Sequence, residues 1–270
     1  MQIKALSLGV AVSAVLAAVS CGNREAAALQ RLGSSEAGPE SSMVLTPVKP
    51  GTAGGVFRGA PVEIVAFRSE FRFSIADSRD SSDRCTGKRP GGEGLAFVLL
   101  GSAPTALGAG GSGLGYQGIK DSIAVEFDLA CSPDNGDPEA PHIAIDIDGH
   151  VSHQDGAVAA PVLIVDERTQ TSFDDAAIWN AWIEYQDGVM EVRVARDGKR
   201  PEQANLRAKV PAKLVESRKL WPGFTAANGK GASKQTIAAW QSEWVMVPRT
   251  STPPGPPRPP RKEQLIGPAF

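Results

Sequence analysis

The sequence predicts an all-β chain, a sandwich of antiparallel sheets, on three observations. Short runs of alternating apolar and polar residues recur along its 270 residues, Gly, Pro, Asn and Asp separate them, and helical periodicity is almost absent between them. Only Lys213 to Lys219 reads as briefly helical.

The runs fall in order at Ile64 to Phe67, Phe71 to Ile75, Leu95 to Leu100, Ile123 to Leu129 and His142 to Asp148. Each is short and bounded by turn residues, as strands of a sandwich are. The clearest hairpin runs from Ala181 to Tyr185, turns at Gln186-Asp187-Gly188, and returns from Val189 to Val194. Asp-Gly supplies the positive φ that a tight turn requires. Residues 61–247 hold these elements, and about 190 residues suffice for one β-domain with a proper core.

The flanks differ in composition. Met1 to Ser20 carries one lysine, Lys4, and then a run of Ala, Val and Leu too short to span a membrane, which reads as a secretory signal over residues 1–20. Leu16-Ala17-Ala18-Val19-Ser20-Cys21 resembles a bacterial lipobox, in which Cys21 is acylated and becomes the mature N-terminus. Acyl chains in that number anchor a protein stably. Gly22 after Cys21 resembles sorting to the outer membrane. The expectation is an exported, membrane-anchored lipoprotein, periplasmic or surface-facing; an ordinary cleaved signal peptide is the alternative.

Residues 21–60 are rich in Ala, Gly, Ser and Pro and read as a flexible spacer. The tail over residues 248–270 contains Thr252-Pro253-Pro254-Gly255-Pro256-Pro257-Arg258-Pro259-Pro260 and is expected to be extended and disordered. A formal net charge of −2 and a pI near 6.0 give no reason to expect nucleic acid as a partner. Of three cysteines, lipidation of Cys21 leaves Cys85 and Cys131, either a disulfide in an oxidising compartment or two buried thiols.

The chemistry-bearing stretch is Ser122 to Ser152. Glu126 and Asp128 lie two apart in an extended run, so their carboxylates share one face while Val125, Phe127 and Leu129 share the other. In the second run Ile143, Ile145 and Ile147 are apolar partners, and His142, Ala144, Asp146 and Asp148 form the polar face. The segment between them would fold back over that face carrying Asp134 and Asp137. Oxygen ligands suit calcium, and an added imidazole suits manganese, zinc or a related ion. Two ions bridged by Asp128 and Asp137 are one reading; an acidic loop in solvent is the other. His150 and His153 read as solvated residues of the turn that follows.

This stretch resembles the metal-binding segment of the legume-type (L-type) lectins, the family of concanavalin A. Glu126, Asp128, Asp137-Pro138, His142 and Ser152 match the family's Glu-x-Asp pair, Asp-Pro, strand-opening His and following Ser. Before it come Phe71-Arg72-Phe73-Ser74-Ile75, Gly94-Leu95-Ala96-Phe97 and Leu114-Gly115-Tyr116. After it come Trp182-Ile183-Glu184-Tyr185, Gly223-Phe224-Thr225-Ala226-Ala227 and Ile237-Ala238-Ala239-Trp240. The resemblance implies a concanavalin A-like jelly roll that binds Ca2+ and a transition-type ion, Mn2+ in the family. Its metal ligands would be Glu126, Asp128, the Ala130 carbonyl, Asp137, His142 and Ser152.

The resemblance also implies a shallow sugar site, with glycans or glycoconjugates as partners. The family's carboxylate, usually Asp after a cis peptide bond, is here Glu93 within Gly92-Glu93-Gly94. One methylene longer, it is expected to push its carboxylate outward. Gly111 and Ser112 in the glycine-rich element and Gly231 in the short basic loop Asn228 to Gln235 occupy the other sugar-facing positions. Where the family places an aromatic residue and an asparagine, this chain has Ala130, Cys131 and Ser132, so Ser132 stands in for the asparagine.

Three functions compete. The first is a non-enzymatic, metal-dependent carbohydrate-binding lipoprotein, and the second a structural or protein-binding module that has lost sugar recognition. The third is a jelly-roll glucanase, whose strand carries Glu-x-Asp-x-x-Glu. Glu126-Phe127-Asp128-Leu129-Ala130-Cys131 begins that run and places Cys131 where the second glutamate must stand, so the two-carboxylate mechanism fails. The five tryptophans read as core or half-buried packing.

Overall fold

The computed structural model describes residues 28–81, 84–85, 91–139, 141–153, 160–164 and 172–246. The signal segment with Cys21 and the Pro-rich tail lie outside the described residues. Among the described residues fourteen strands follow in chain order, and every ladder between them is antiparallel. The first five are β1 (Leu29–Gly33), β2 (Glu36–Ala37), β3 (Met43–Thr46), β4 (Ala53–Arg58) and β5 (Val62–Arg79). Next come β6 (Gly94–Leu100), β7 (Ser122–Asp128), β8 (His142–Ile147), β9 (Val162–Leu163) and β10 (Trp179–Gln186). The last are β11 (Val189–Ala195), β12 (Leu206–Lys209), β13 (Arg218–Ala227) and β14 (Ala232–Met246).

Pairing separates these into two layers. One sheet runs β1-β4-β13-β6-β7-β8-β9 and the other β12-β11-β10-β5-β14-β3-β2. Strand β13 belongs to both. Its first residues, Arg218 to Leu220, pair with Ile64, Glu63 and Val62 of β5, and the remainder pairs with β6 and β4. The expected antiparallel sandwich is therefore what the chain forms.

Strand β5 merges two expected runs. Arg68, Ser69 and Glu70 continue the alternation between Phe67 and Phe71, so nothing in the sequence ends the strand there. Ser69 is buried, and it is satisfied by Ser242 Oγ at 2.9 Å and by the Trp240 indole N–H at 3.0 Å. The hairpin of β10 and β11 also stands as expected, with Gln186 opposite Val189 and positive φ at Asp187 (50°) and Gly188 (76°). Near Lys213 the chain makes only a 3-10 turn, Ala212–Leu214.

The spacer expectation for residues 21–60 is corrected. From Leu29 onward this segment supplies four strands, and Met43, Val44, Leu45, Val56 and Phe57 are buried. Gly54 within it serves packing rather than flexibility. A Cβ on Gly54 would stand 2.0 Å from the Leu45 carbonyl oxygen, so glycine is what lets β3 and β4 approach.

Aromatic rings fill the space between the layers. Phe71 of β5 meets Phe224 of β13 edge-on at 4.8 Å, Phe127 of β7 at 5.6 Å and Phe97 of β6 at 6.2 Å. Phe73 continues the contact to Phe127 at 5.2 Å and Phe173 at 5.6 Å. These rings bury large apolar area at low entropic cost. Phe71→Ala is expected to lower unfolding free energy by about 3–5 kcal/mol, measured by denaturant titration, because no neighbour can fill the space between four rings.

Candidate metal centre and adjoining loops

Register places the polar groups. Asp128 pairs with His142, Glu126 with Ala144 and Ala124 with Asp146, so Glu126, Asp128, His142 and Asp146 share one face of β7 and β8. Val125, Phe127, Ile143 and Ile145 share the other and enter the core. All four polar side chains are buried, because the loop between the strands folds over them. Asp137 returns inward on that loop, and its Oδ2 accepts the Ser132 N–H at 2.8 Å. Asp134 does not; it points to solvent and pairs with Arg84 at 2.9 Å. Asp148 is likewise at the surface, where its Oδ2 pairs with Lys120 at 3.3 Å.

A disulfide between Cys85 and Cys131 ties this loop to the segment before β6, and the Arg84 N–H donates to the Cys131 carbonyl at 3.1 Å. The Ala130 N–H donates to Asp128 Oδ1 at 2.8 Å. Ser132 is buried inside the loop against Asp137, which corrects its expected place on a sugar-facing surface.

His153 corrects a second expectation. It is not solvated: its side chain is 2% exposed and its ring enters the acidic cluster. Nε2 lies 2.9 Å from Glu126 Oε1 and 3.9 Å from Asp146 Oδ1, and Nδ1 lies 3.3 Å from Asp137 Oδ1. The His153 N–H donates to the Asn135 carbonyl at 2.7 Å, which fixes the return of the chain. His142 Nε2 stands 3.4 Å from the same Glu126 oxygen, with the two rings perpendicular and 5.3 Å apart. Ser152, expected as a ligand, is half-buried beside it.

Tyr116 closes the cluster from beneath. Its hydroxyl lies 2.8 Å from Glu126 Oε2 and 2.9 Å from Asp146 Oδ2. One phenolic proton serves one acceptor, so the second contact needs a proton on a carboxyl group. Burial and the neighbouring Glu126 charge push Asp146 up to about 7, against an opposing pull from His153, and make it the holder of that proton. The same burial and charges raise the Tyr116 phenol well above its ordinary value.

The remaining groups show how strongly the cluster favours positive charge. Burial drives Asp128 up, and Glu126, Asp137 and Glu93 reinforce it. Burial also acts to raise Glu126, but contacts from His142 and His153 overcome it and hold the group below the carboxylate range. For His153 burial acts downward and is outweighed by Asp137, Asp146 and Glu126, which push it up to about 12. Protons stand where positive charge is needed.

The donor set fits a divalent ion. Glu126 Oε1, Asp137 Oδ1 and both His153 nitrogens are buried without an aligned hydrogen bond, although oxygen and nitrogen lie about as close as hydrogen-bonded atoms do. One ligand atom from each of Glu126, His142 and His153 lies within 4.8 Å of the others. The oxygen-only remainder, Asp128, Asp137 and the Ala130 carbonyl, is of the type calcium takes.

Beside this cluster, Glu93 knits three loops together. Its N–H donates to the Ala227 carbonyl at 3.1 Å, and its own carbonyl accepts the Leu129 N–H at 2.8 Å. The flanking glycines are obligatory. A Cβ on Gly92 would meet Asn228 Oδ1 at 2.0 Å, and Gly94 has φ +138° with the Phe127 carbonyl 2.3 Å from its missing Cβ. The expectation that Glu93 projects outward is corrected, since the residue is 6% exposed and its charge acts on Asp128. None of the peptide bonds among the described residues is cis, so the bond before Glu93 departs from the expected pattern.

The loop after β13 is held from within. Asn228 Nδ2 donates to the Pro47 carbonyl at 2.9 Å and the Ser233 carbonyl at 3.1 Å, while its Oδ1 accepts the Ser233 N–H at 3.0 Å. Ser233 Oγ in turn accepts the Gly92 N–H at 2.8 Å, so the short loop carrying Gly231 is joined to the Glu93 segment. Gly111 and Ser112 form a 3-10 turn with Gly113, and the Ser112 carbonyl accepts Asn135 Nδ2 at 3.5 Å. No atom lies near the missing Cβ of Gly111, so its backbone is open to a ligand.

The raised Asp146 pKa sets a pH dependence. Its folded value of about 7 exceeds the ordinary 3.8, so its contribution to stability is present below about pH 4 and lost as pH rises through 7 in metal-free protein. A bound cation would supply the compensating charge over that window. The rise in Tm on adding excess Ca2+ and Mn2+ to chelator-treated protein is expected to be larger at pH 7.5 than at pH 5; an equal or smaller rise at pH 7.5 would contradict this account of the cluster.

Comparison with known proteins is consistent with this geometry. A lectin-like protein of Arabidopsis thaliana is 26% identical over 197 residues, covering 67% of this chain and 76% of the relative. L-type lectin-domain containing receptor kinase S.7 of Oryza sativa subsp. japonica is 29% identical over 193 residues, covering 64% of this chain and 26% of the kinase. The chain thus spans about a quarter of that kinase. Among solved structures, peanut lectin with a nine-residue peptide superposes with a TM-score of 0.64 at 19% identity, covering 84% of this chain and 96% of that one. The VIP36 exoplasmic/lumenal domain in its Ca2+/Man-bound form gives a TM-score of 0.60 at 14% identity, covering 83% and 85%. These likenesses show the concanavalin A-like jelly roll. Residues 23–253 match the legume lectin domain, which takes in the strands before Ala60, and the chain belongs to the legume lectin domain family.

Proposed function

We propose that this protein is a non-enzymatic, metal-dependent carbohydrate-binding lipoprotein, exported and held at a membrane by acylated Cys21. The observation that carries the reading is the convergence on Glu93. The loops at 91–94, 128–137 and 228–233 are bonded to one another around it, and the open glycine turn at 110–113 joins them through Asn135. Buried cations would hold these loops in place, leaving backbone amides and carbonyls to meet sugar hydroxyls. Glycans or glycoconjugates are the proposed partners.

The burial of Glu93 favours a second reading. A carboxylate turned against Asp128 is not offered to a ligand, and Ser132 is equally enclosed. On that reading the chain is a structural or protein-binding module on the same scaffold. Hydrolysis is the least supported alternative, because Cys131, at the position a second catalytic glutamate would need, is half of a disulfide.

Glycan arrays probed with Ca2+- and Mn2+-loaded protein separate the two readings. Binding that disappears after dialysis against chelator and returns with the ions is expected, and absence of binding across a broad array supports the protein-binding module. Glu93→Ala removes the buried charge that acts on Asp128 and is expected to weaken sugar binding at least tenfold, about 1.4 kcal/mol, measured as Kd in metal-loaded protein; an unchanged Kd would limit the role of Glu93 to its backbone bonds. For the anchor, Cys21→Ala is expected to move the protein from the membrane fraction to the soluble exported fraction.

A further inference from the structure

Two imidazoles face the buried carboxylates of β7 and β8, and the second is placed to ligate. We propose that Glu126, His142 and His153 form a two-imidazole, one-carboxylate centre selective for nitrogen-preferring divalent ions of the zinc, cobalt, nickel and copper class over manganese. This rests on the reading that the cluster binds a divalent ion, and it names which.

Three features of the geometry support it. His153 is fixed and dry, with its backbone N–H on the Asn135 carbonyl at 2.7 Å and its side chain 2% exposed. An imidazolium that merely clamped two carboxylates would aim each N–H at an oxygen. Here Nε2 lies 2.9 Å from Glu126 Oε1 and Nδ1 3.3 Å from Asp137 Oδ1, yet neither nitrogen is aligned for a hydrogen bond. A divalent ion shared by Nε2 and the Glu126 oxygen would account for two close atoms that make no hydrogen bond.

The ring and the carboxylate are also oriented by partners. Tyr116 stands 2.8 Å from Glu126 Oε2 and leaves Oε1 toward the rings. Asp137 Oδ1 lies 3.3 Å from Nδ1, near enough to take its proton after a small turn of the ring, which would leave Nε2 free. The three candidate ligand atoms lie within 4.8 Å of one another. Ligands about 2.1 Å from a tetrahedral ion are separated by about 3.4 Å, a value between the 2.9 Å contact of Nε2 with Glu126 and the 4.8 Å bound on the set. Asp146 Oδ1, 3.9 Å from Nε2, or a water would complete the coordination.

The chemistry then decides the ion. Carboxylate and water suit manganese, whereas imidazole suits zinc, copper and nickel, and each added imidazole widens the margin. Because zinc exceeds manganese at most mixed sites, the diagnostic quantity is the part of the margin that His153 supplies.

Full-length protein, stripped with chelator and reloaded with Ca2+, is titrated with Zn2+ and separately with Mn2+, beside His153→Gln. The variant is expected to lose at least about 10–100-fold in Zn2+ affinity, the cost of losing even an outer-shell partner, and less than about threefold in Mn2+ affinity. Equal losses for both ions, or an unchanged ratio, would overturn the proposal. Electron paramagnetic resonance of the Cu2+-loaded unmodified protein needs no variant: coupling to two imidazole nitrogens is expected, and coupling to one overturns it. Glycan binding is read on the same samples. Sugar binding with a one-nitrogen signal sinks this inference alone, two nitrogens without sugar binding sink the functional reading alone, and retention of no divalent ion sinks both.

Discussion

Negative charge enclosed between β7, β8 and the loop that joins them is the constraint on which the rest depends. Glu126, Asp128, Asp137 and Asp146 occupy one dry volume, and among the described residues His142 and His153 bring side-chain nitrogen to it. Carboxylates in such a place neutralise themselves by taking protons or by taking a cation. The loop positions around Glu93 follow from that choice, because the chain segments that cover the charge are the ones that would meet a ligand.

The sandwich makes the enclosure possible. Phe127 lies back to back with Glu126 and Asp128 on the same strand, so packing of the aromatic core against β5 fixes the level at which the polar face sits. Strand β13 spans both sheets and ends at Ala227, whose carbonyl holds Glu93. Core packing and ligand-loop placement are thus parts of one continuous hydrogen-bonded framework.

Much of this was legible in residue order, and the exceptions have physical reasons. Strands such as β6, β7 and β8 declare themselves because alternation is enforced by a buried face. The strands before Ala60 do not, since Gly54 and Gly55 lower the apolar signal where two backbones come together. His153 could not be read from period because it follows a turn, and only the fold-back of Asp137 and Asn135 brings its ring inward. Asp146 reads as an outward residue of a half-buried strand; a covering loop, invisible to alternation, makes it a core carboxyl. The length of Glu93 suggested projection, whereas glycines on both sides draw the backbone in far enough to enclose it.

The Cys85–Cys131 bond has a kinetic meaning for such an arrangement. It is placed at the first turn of the covering loop, so when charge compensation is lost the segment can loosen only as far as this covalent tether allows. Departure of an ion then need not become global unfolding, and its return need not wait for a long search by a free chain. Export to an oxidising compartment would, in that sense, install a memory of the loaded shape before any ion arrives.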